Sequence, residues 1–440
     1  MPLLSSSHSC LCNCNLFAAI TLILSLTPSL QIPLLAPISK DDTTQLYTLS
    51  LYLKTPLQPT KLHLHLGSSF TWLTCDNSTY TSTSYHHIPC NSSLCSSFHP
   101  TACSTCFHSP APNCATNACS LFPENPITRN TLLATALIDA LALPTSDGST
   151  HSPLVLISHF IFSCSEHSLL QGLPVNVSGL ASLGRSNHSL PAQISNSLSS
   201  PRCFALCLPG SSSKPGSAFF GSTGPYFLSS KTDLSKSLTY TPLIVNPVGD
   251  TVITDNAQPS DEYFINLTSI KINGNPLSIN ASILTVDSNG FGGTKISTAE
   301  PYTVLETSIY KAFVERFVNE SSAFNLTVTE AVEPFGVCYP AKEFTETRVG
   351  PAVPTVDLVM HSEDVLWRMF GGNSMVRIEK EGVEAVWCLG FVDGGIRRRA
   401  AVVIGGHQLE DNLVQFDLES NRFGFTSSLL LQDVTCSFQY

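Results

Sequence analysis

Charge is scarce in this chain: 12% of its 440 residues are Asp, Glu, Lys or Arg, about half the usual share for soluble domains. Polarity comes instead from Ser, Thr and Asn. The net charge is -11, and no basic cluster with interleaved aromatics offsets it, so phosphate backbones and anionic lipid are repelled and nucleic acid is excluded as a partner. Lys and Arg are absent before Lys40. After the N-terminal region no apolar run is long enough to cross a membrane. Long linkers, charge blocks and short-period repeats are also missing.

The N-terminal apolar run, residues 16–26, has signal-peptide length and is followed by the breaker Pro28; residues 1–30 are expected to be a signal peptide. Sixteen cysteines are present. Three (Cys10, Cys12, Cys14) fall in that segment, and seven others (Cys75, Cys90, Cys95, Cys103, Cys106, Cys114, Cys119) crowd together. Such density in a secretory chain reads as disulfide staples rather than zinc or redox chemistry, even at the CxxC spacing of Cys103 and Cys106. The thirteen left are an odd number, so one thiol is in excess. Eight Asn-x-Ser/Thr sequons, at Asn77, Asn91, Asn176, Asn187, Asn266, Asn280, Asn319 and Asn325, suit a secreted glycoprotein.

Period-two alternation at residues 46–53 and 61–66 predicts strands, and Asp147-Gly148, Asn273-Gly274 and Asn289-Gly290 predict turns. A helix is expected over residues 304–318, where apolar residues recur at helical spacing. The length allows two lobes, with polar stretches at 211–217 and 248–261 around a junction near Leu238.

Val403-Ile404-Gly405-Gly406-His407-Gln408, followed by LVQFDLESNRFGF at 413–425, resembles the closing motif of pepsin-like proteins. Two upstream loops line up with the loops that carry catalytic aspartates in that fold. In Leu62-His63-Leu64-His65-Leu66-Gly67-Ser68 the Asp position is filled by His65; in Gly293-Thr294-Lys295-Ile296-Ser297-Thr298 it is filled by Ser297. Aspartic peptidases need two carboxylates sharing one proton around a lytic water, and imidazole with hydroxyl cannot form that pair. No tyrosine flap signature is found over residues 130–143. Asp287, Asp393 and Asp147 read as turn residues. His65 with Ser297 has no third acid for a hydrolase triad, and His63 with His65 has no third metal ligand. No catalytic residue, metal or cofactor is expected.

Phe122-Pro123-Glu124-Asn125-Pro126, Phe160-Ile161-Phe162-Ser163-Cys164, Leu183-Gly184-Arg185 and Gly405 to Asn412, with the loops above, resemble the plant extracellular dermal glycoprotein group. That group includes xyloglucan-specific endoglucanase inhibitor proteins and is similar to TAXI-type xylanase inhibitors and basic seven-S globulins. The resemblance implies a mostly β, bilobal, disulfide-stapled pepsin-like fold of two β-barrel-like lobes with few short helices, the lobes spanning 31–236 and 237–440. It implies six bridges among Cys75, Cys90, Cys95, Cys103, Cys106, Cys114, Cys119, Cys164, Cys207, Cys338, Cys388 and Cys436, with Cys338 joined to Cys388, Cys207 to Cys436, and Cys203 left over.

The group's inhibitors insert loops of the second lobe into the cleft of microbial glycoside hydrolases. The matching loop here carries Arg397, Arg398 and Arg399, with Arg399 at the family's basic position and a guanidinium fork suited to paired carboxylates. A second loop departs from the pattern, with Val328 where relatives have Arg. The expected protein is a monomeric apoplastic or cell-wall inhibitor with microbial glycoside hydrolases as partners and no membrane association. Alternatives are a non-inhibitory storage-type or peptide-binding wall glycoprotein and, more remotely, an active aspartic endopeptidase.

Overall fold

The alternating segments build sheet. A computed structural model of the chain describes residues 33–75, 80–107, 109–146, 153–228, 232–254, 258–380 and 383–437. In it, Tyr47–Leu53 and Gln58–His65 are strands paired antiparallel with Leu49 opposite Leu62. Leu49, Leu51, Leu53, Leu62 and Leu64 are all buried, each removing apolar surface worth about 1.5–3 kcal/mol from water. Asn273 and Gly274, both at positive φ, turn the chain between Ser269–Ile272 and Asn275–Pro276, as a tight hairpin requires. The turn expected at Asp147-Gly148 lies outside the described residues.

The helix starts later than its periodicity predicts. Thr303–Leu305 is a strand parallel to Phe391–Asp393, because its β-branched residues gain a ladder and buried packing there. Glu306 then caps the helix Thr307–Ser321, accepting from the Ser308 and Ile309 N–H groups. The buried residues Ile309, Phe313, Phe317 and Ser321 follow one face at four-residue spacing.

Six antiparallel strands run through the middle of the molecule. Leu34–Lys40 pairs with Gly216–Phe220, which pairs with Cys203–Cys207. Cys203–Cys207 pairs in turn with Leu413–Asp417 from the other end of the chain, followed by Arg422–Phe425 and Thr239–Ile244. The rings of Phe204 and Phe416 stack across the joint at 4.7 Å, and Tyr263 packs on Phe416 at 4.4 Å. Among the described residues no helix is long and apolar enough to cross a membrane.

Six disulfides staple these elements: Cys75–Cys164, Cys90–Cys103, Cys95–Cys119, Cys106–Cys114, Cys207–Cys436 and Cys338–Cys388. Cys203 is free and buried. Burial, with Asp417 nearby, pushes its thiol up to about 12, so it carries no useful thiolate. The Cys207–Cys436 bridge spans 229 residues and Cys106–Cys114 spans 8. Replacing Cys207 and Cys436 together by Ala should therefore remove roughly 4–5 kcal/mol of stability, and replacing Cys106 and Cys114 about half as much. Guanidinium unfolding of the two double variants checks the ranking; equal losses would contradict it.

Candidate functional site

Two matching loops are held face to face. Gln58–His65 runs parallel to Gly179–Ser182, with His65 opposite Ser182. In the other half Thr294–Ile296 runs parallel to Val402–Ile404, and Ser297 follows with its N–H donating to the Ile404 carbonyl at 2.9 Å. Just beyond each partner strand stands a glycine, Gly184 two residues after Ser182 and Gly405 directly after Ile404, because the backbone crosses too closely there for a side chain. A Cβ on Gly184 would lie 2.4 Å from the Ser68 carbonyl oxygen, and one on Gly405 would lie 2.3 Å from the Tyr302 carbonyl carbon. The Thr298 hydroxyl donates to the Leu64 carbonyl at 2.9 Å, so the residue after Ser297 grips the residue before His65. The matching position on the first loop is Leu66, which has no hydroxyl to return the bond.

The loops carry neutral groups. The Gly67 N–H donates to His65 Nδ1 at 3.4 Å, and the Ser68 hydroxyl lies 2.7 Å from the same atom, which places the ring proton on Nε2. Burial holds His65 well below the usual histidine range, with His63, Lys295 and Arg129 pushing the same way. His63 Nδ1 donates to the Tyr47 carbonyl at 3.2 Å, while its buried Nε2 has no partner among the described residues. Burial lowers His63 to about 4. Ser297 is buried, and its hydroxyl oxygen accepts from the Ala299 N–H at 3.2 Å. Two nearby carboxylates are engaged elsewhere: Glu262 with Lys295 at 2.5 Å, and Asp261 with the Ser69 hydroxyl at 2.5 Å.

A strap from the second half crosses to the first. Arg399 donates to the Val248 and Gly249 carbonyls, each at 2.8 Å, and lies 3.8 Å from Asp250. Arg129 donates to the Asp250 carbonyl and pairs with Glu124 at 3.0 Å, while the Val252 N–H donates to Glu124 at 2.8 Å. Periodicity could not reveal this clasp, whose contacts to the segment 248–252 span 121 to 151 residues. Arg398 pairs with Glu300 at 3.3 Å. Arg397 differs: it is exposed, has φ +67°, and has no polar partner among the described residues. Ile396 beside it is 77% exposed. On the second loop Val328, Glu330 and Glu333 are exposed.

The turn aspartates take ordinary roles. Asp287 accepts from the Asn289 and Phe291 N–H groups, and Asp393 accepts from the Thr307 hydroxyl and the Gly395 N–H. Among the described residues no group of three or more His, Cys, Asp or Glu side chains is placed to hold a metal ion. Asn91, Asn176, Asn187, Asn280, Asn319 and Asn325 are exposed and Asn266 is half-buried; Asn77 lies outside the described residues.

Because the fold favours neutral His63, its contribution is present above the unfolded value near 6.5 and is lost as pH falls toward about 4. Relative to His63→Gln, the parent should lose on the order of 3 kcal/mol more over that interval. Urea unfolding at stepped pH reads the difference, and parallel curves would refute it.

Comparison with known proteins places this geometry in a family. Residues 47–222 match the family described as Xylanase inhibitor N-terminal, and residues 262–427 match Xylanase inhibitor C-terminal. The chain is 74% identical over 428 residues to "Probable aspartic proteinase GIP1" of Glycine max, covering 97% of this chain and 96% of that one. Its structure is similar to that titled "Crystal structure of edgp", with a TM-score of 0.89 and 44% identity, covering 93% of this chain and 98% of that one. It is also similar to "Crystal structure of Basic 7S globulin from soybean", at 0.77 and 32%, covering 93% and 99%. The fold is thus the mostly β, bilobal pepsin-like one expected from the motifs, and the chain belongs to the family of proteins built from paired xylanase-inhibitor N-terminal and C-terminal domains.

Proposed function

We propose that this protein is a secreted glycoprotein that binds and inhibits microbial cell-wall-degrading glycoside hydrolases and does not cleave peptides. The observation that carries the binding reading is the loop at residues 394–399. Its base is tied down by Arg398 to Glu300 and by Arg399 to the Val248 and Gly249 carbonyls, while Ile396 and Arg397 project from it. A free guanidinium on an anchored base loses little entropy on docking, and glycoside hydrolases present a pair of carboxylates that a planar fork can bridge. Within the arginine run, Arg397 is therefore the contact residue and Arg399 the positioning residue. The second loop contributes no cation at Val328 and exposes Glu330 and Glu333, which narrows the range of clefts the protein suits.

Loss of peptidase chemistry is supported by the neutral imidazole of His65 and the buried hydroxyl of Ser297, neither of which can supply the acid and base of a carboxylate dyad. Residues 1–30 serve in this reading as the secretion signal, and the mature chain works outside the cell. A storage-type or peptide-binding role is favoured by the likeness to soybean basic 7S globulin, and the likeness to a probable aspartic proteinase of Glycine max keeps peptidase activity in view.

Titrating fungal xyloglucanase and xylanase with the purified protein should abolish the activity of at least one at near-equimolar ratio. Arg397→Ala should weaken inhibition by about tenfold or more, equivalent to roughly 1.4 kcal/mol, with thermal stability unchanged. No inhibition of either enzyme favours the storage reading, and an Arg397→Ala protein as potent as the parent removes that residue from the contact. Incubation with denatured protein at acid pH should give no pepstatin-sensitive cleavage; such cleavage would refute the non-peptidase reading.

A further inference from the structure

A hollow of about 390 Å³ opens beside the strand Tyr263–Ile265. Its walls include Val245, Pro247, Ile265, Leu284 and Val286, and Thr285, Asp287 and Ser288 bring polar atoms to its lining. Val245 is 46% exposed, an apolar side chain left in water. The volume would hold roughly a dozen waters, which such walls solvate poorly.

Asn266 also lines this hollow, and it heads the sequon Asn266-Leu267-Thr268. Of the seven described sequon asparagines it is the half-buried one, and its side-chain amide has no partner among the described residues. Two of the other sequon asparagines have side-chain partners: Asn280 accepts from the Ser282 N–H and hydroxyl, and Asn187 accepts from Arg202. Thr268 donates to the Met360 carbonyl at 2.8 Å, which fixes the chain just beyond Asn266.

We propose that the hollow is the seat of an N-linked glycan on Asn266, whose first N-acetylglucosamine packs its C–H face and acetyl methyl on the apolar walls and turns its hydroxyls toward Asp287 and Ser288. The proposal rests on the secretory route inferred above. The oligosaccharide comes from a lipid-linked pyrophosphate donor: the sugar C1–O bond breaks, a C1–N bond forms at Asn266 Nδ2, the amide loses one proton, and the lipid pyrophosphate leaves. Transfer precedes folding, and folding then closes the hollow around a sugar that is already tethered. A tether of one side chain gives that sugar an effective concentration that a free ligand would rarely match, so a glycan, rather than a side chain of another protein, occupies the site.

The test uses the full-length protein secreted from cells restricted to high-mannose glycans. Glycopeptide mass spectrometry should find Asn266 occupied. After endoglycosidase H, which leaves one N-acetylglucosamine on each site, binding of the dye 1-anilinonaphthalene-8-sulfonate should match that of the untrimmed protein. Asn266→Gln should bind roughly twice as much dye or more, while Asn280→Gln, which loses a sugar from an exposed turn, should not. Occupied sequons elsewhere with bare Asn266 would overturn the seat and leave the glycoprotein reading standing; no glycan at any sequon would overturn both. Equal dye binding by the two variants would also overturn the seat, because the sugar would then cover nothing.

Discussion

The ladder between Cys203–Cys207 and Leu413–Asp417 is the constraint on which the rest of this structure depends. It joins strands more than 200 residues apart in sequence, and because all ten residues are buried, their backbone groups must find partners in this ladder or in the flanking strands Gly216–Phe220 and Arg422–Phe425. The Phe204 and Phe416 rings stack across it, Tyr263 fills the next space, and the Tyr263 hydroxyl donates to the Leu183 carbonyl at 2.8 Å. That last bond reaches the segment beside His65. Once the joint has closed, the two parallel crossings have little freedom, and Thr298 meets Leu64 because the ladder has already set their separation.

The scaffold and the chemistry of its site are therefore separable. Glycines at 184 and 405 are dictated by backbone crossing, and the apolar residues of Gly179–Ser182 and Val402–Ile404 by burial. None of these demands says what must stand at positions 65 and 297. The fold holds an imidazole and a hydroxyl there with little disturbance, since burying neutral side chains avoids the desolvation penalty of buried carboxylates. On the proposed reading, binding is left to surface loops carried by the rigid interior.

Much of this was legible in the sequence, and the limits have physical causes. Leu49, Leu51 and Leu53 announced their strand because one face is buried and the other is not. The helix boundary was misplaced because Val304 and Leu305 fit both an apolar helical stripe and a short strand, and only the parallel partner Phe391–Asp393 decides between them. The motif loops could be found because close crossing enforces glycine at fixed spacing. The clasp formed by Glu124, Arg129, Asp250 and Arg399 left no such trace, since ion pairs between distant loops impose no local periodicity. For the same reason the sequence marked an arginine run without showing that Arg399 turns inward and Arg397 outward.

The bridge between Cys207 and Cys436 has a consequence for how the protein is made. At roughly 5–20 residues per second, the ribosome delivers the second sulfur of that pair some 10 to 50 s after the first, the two being 229 residues apart. On the secretory route proposed above, Cys207 waits through this interval in an oxidising lumen for its partner, with Cys203 only four residues upstream. Premature oxidation is avoided when the nascent strand is protected or repaired by an isomerase, and it ends for good when the arriving Leu413–Asp417 strand docks and shuts Cys203 away.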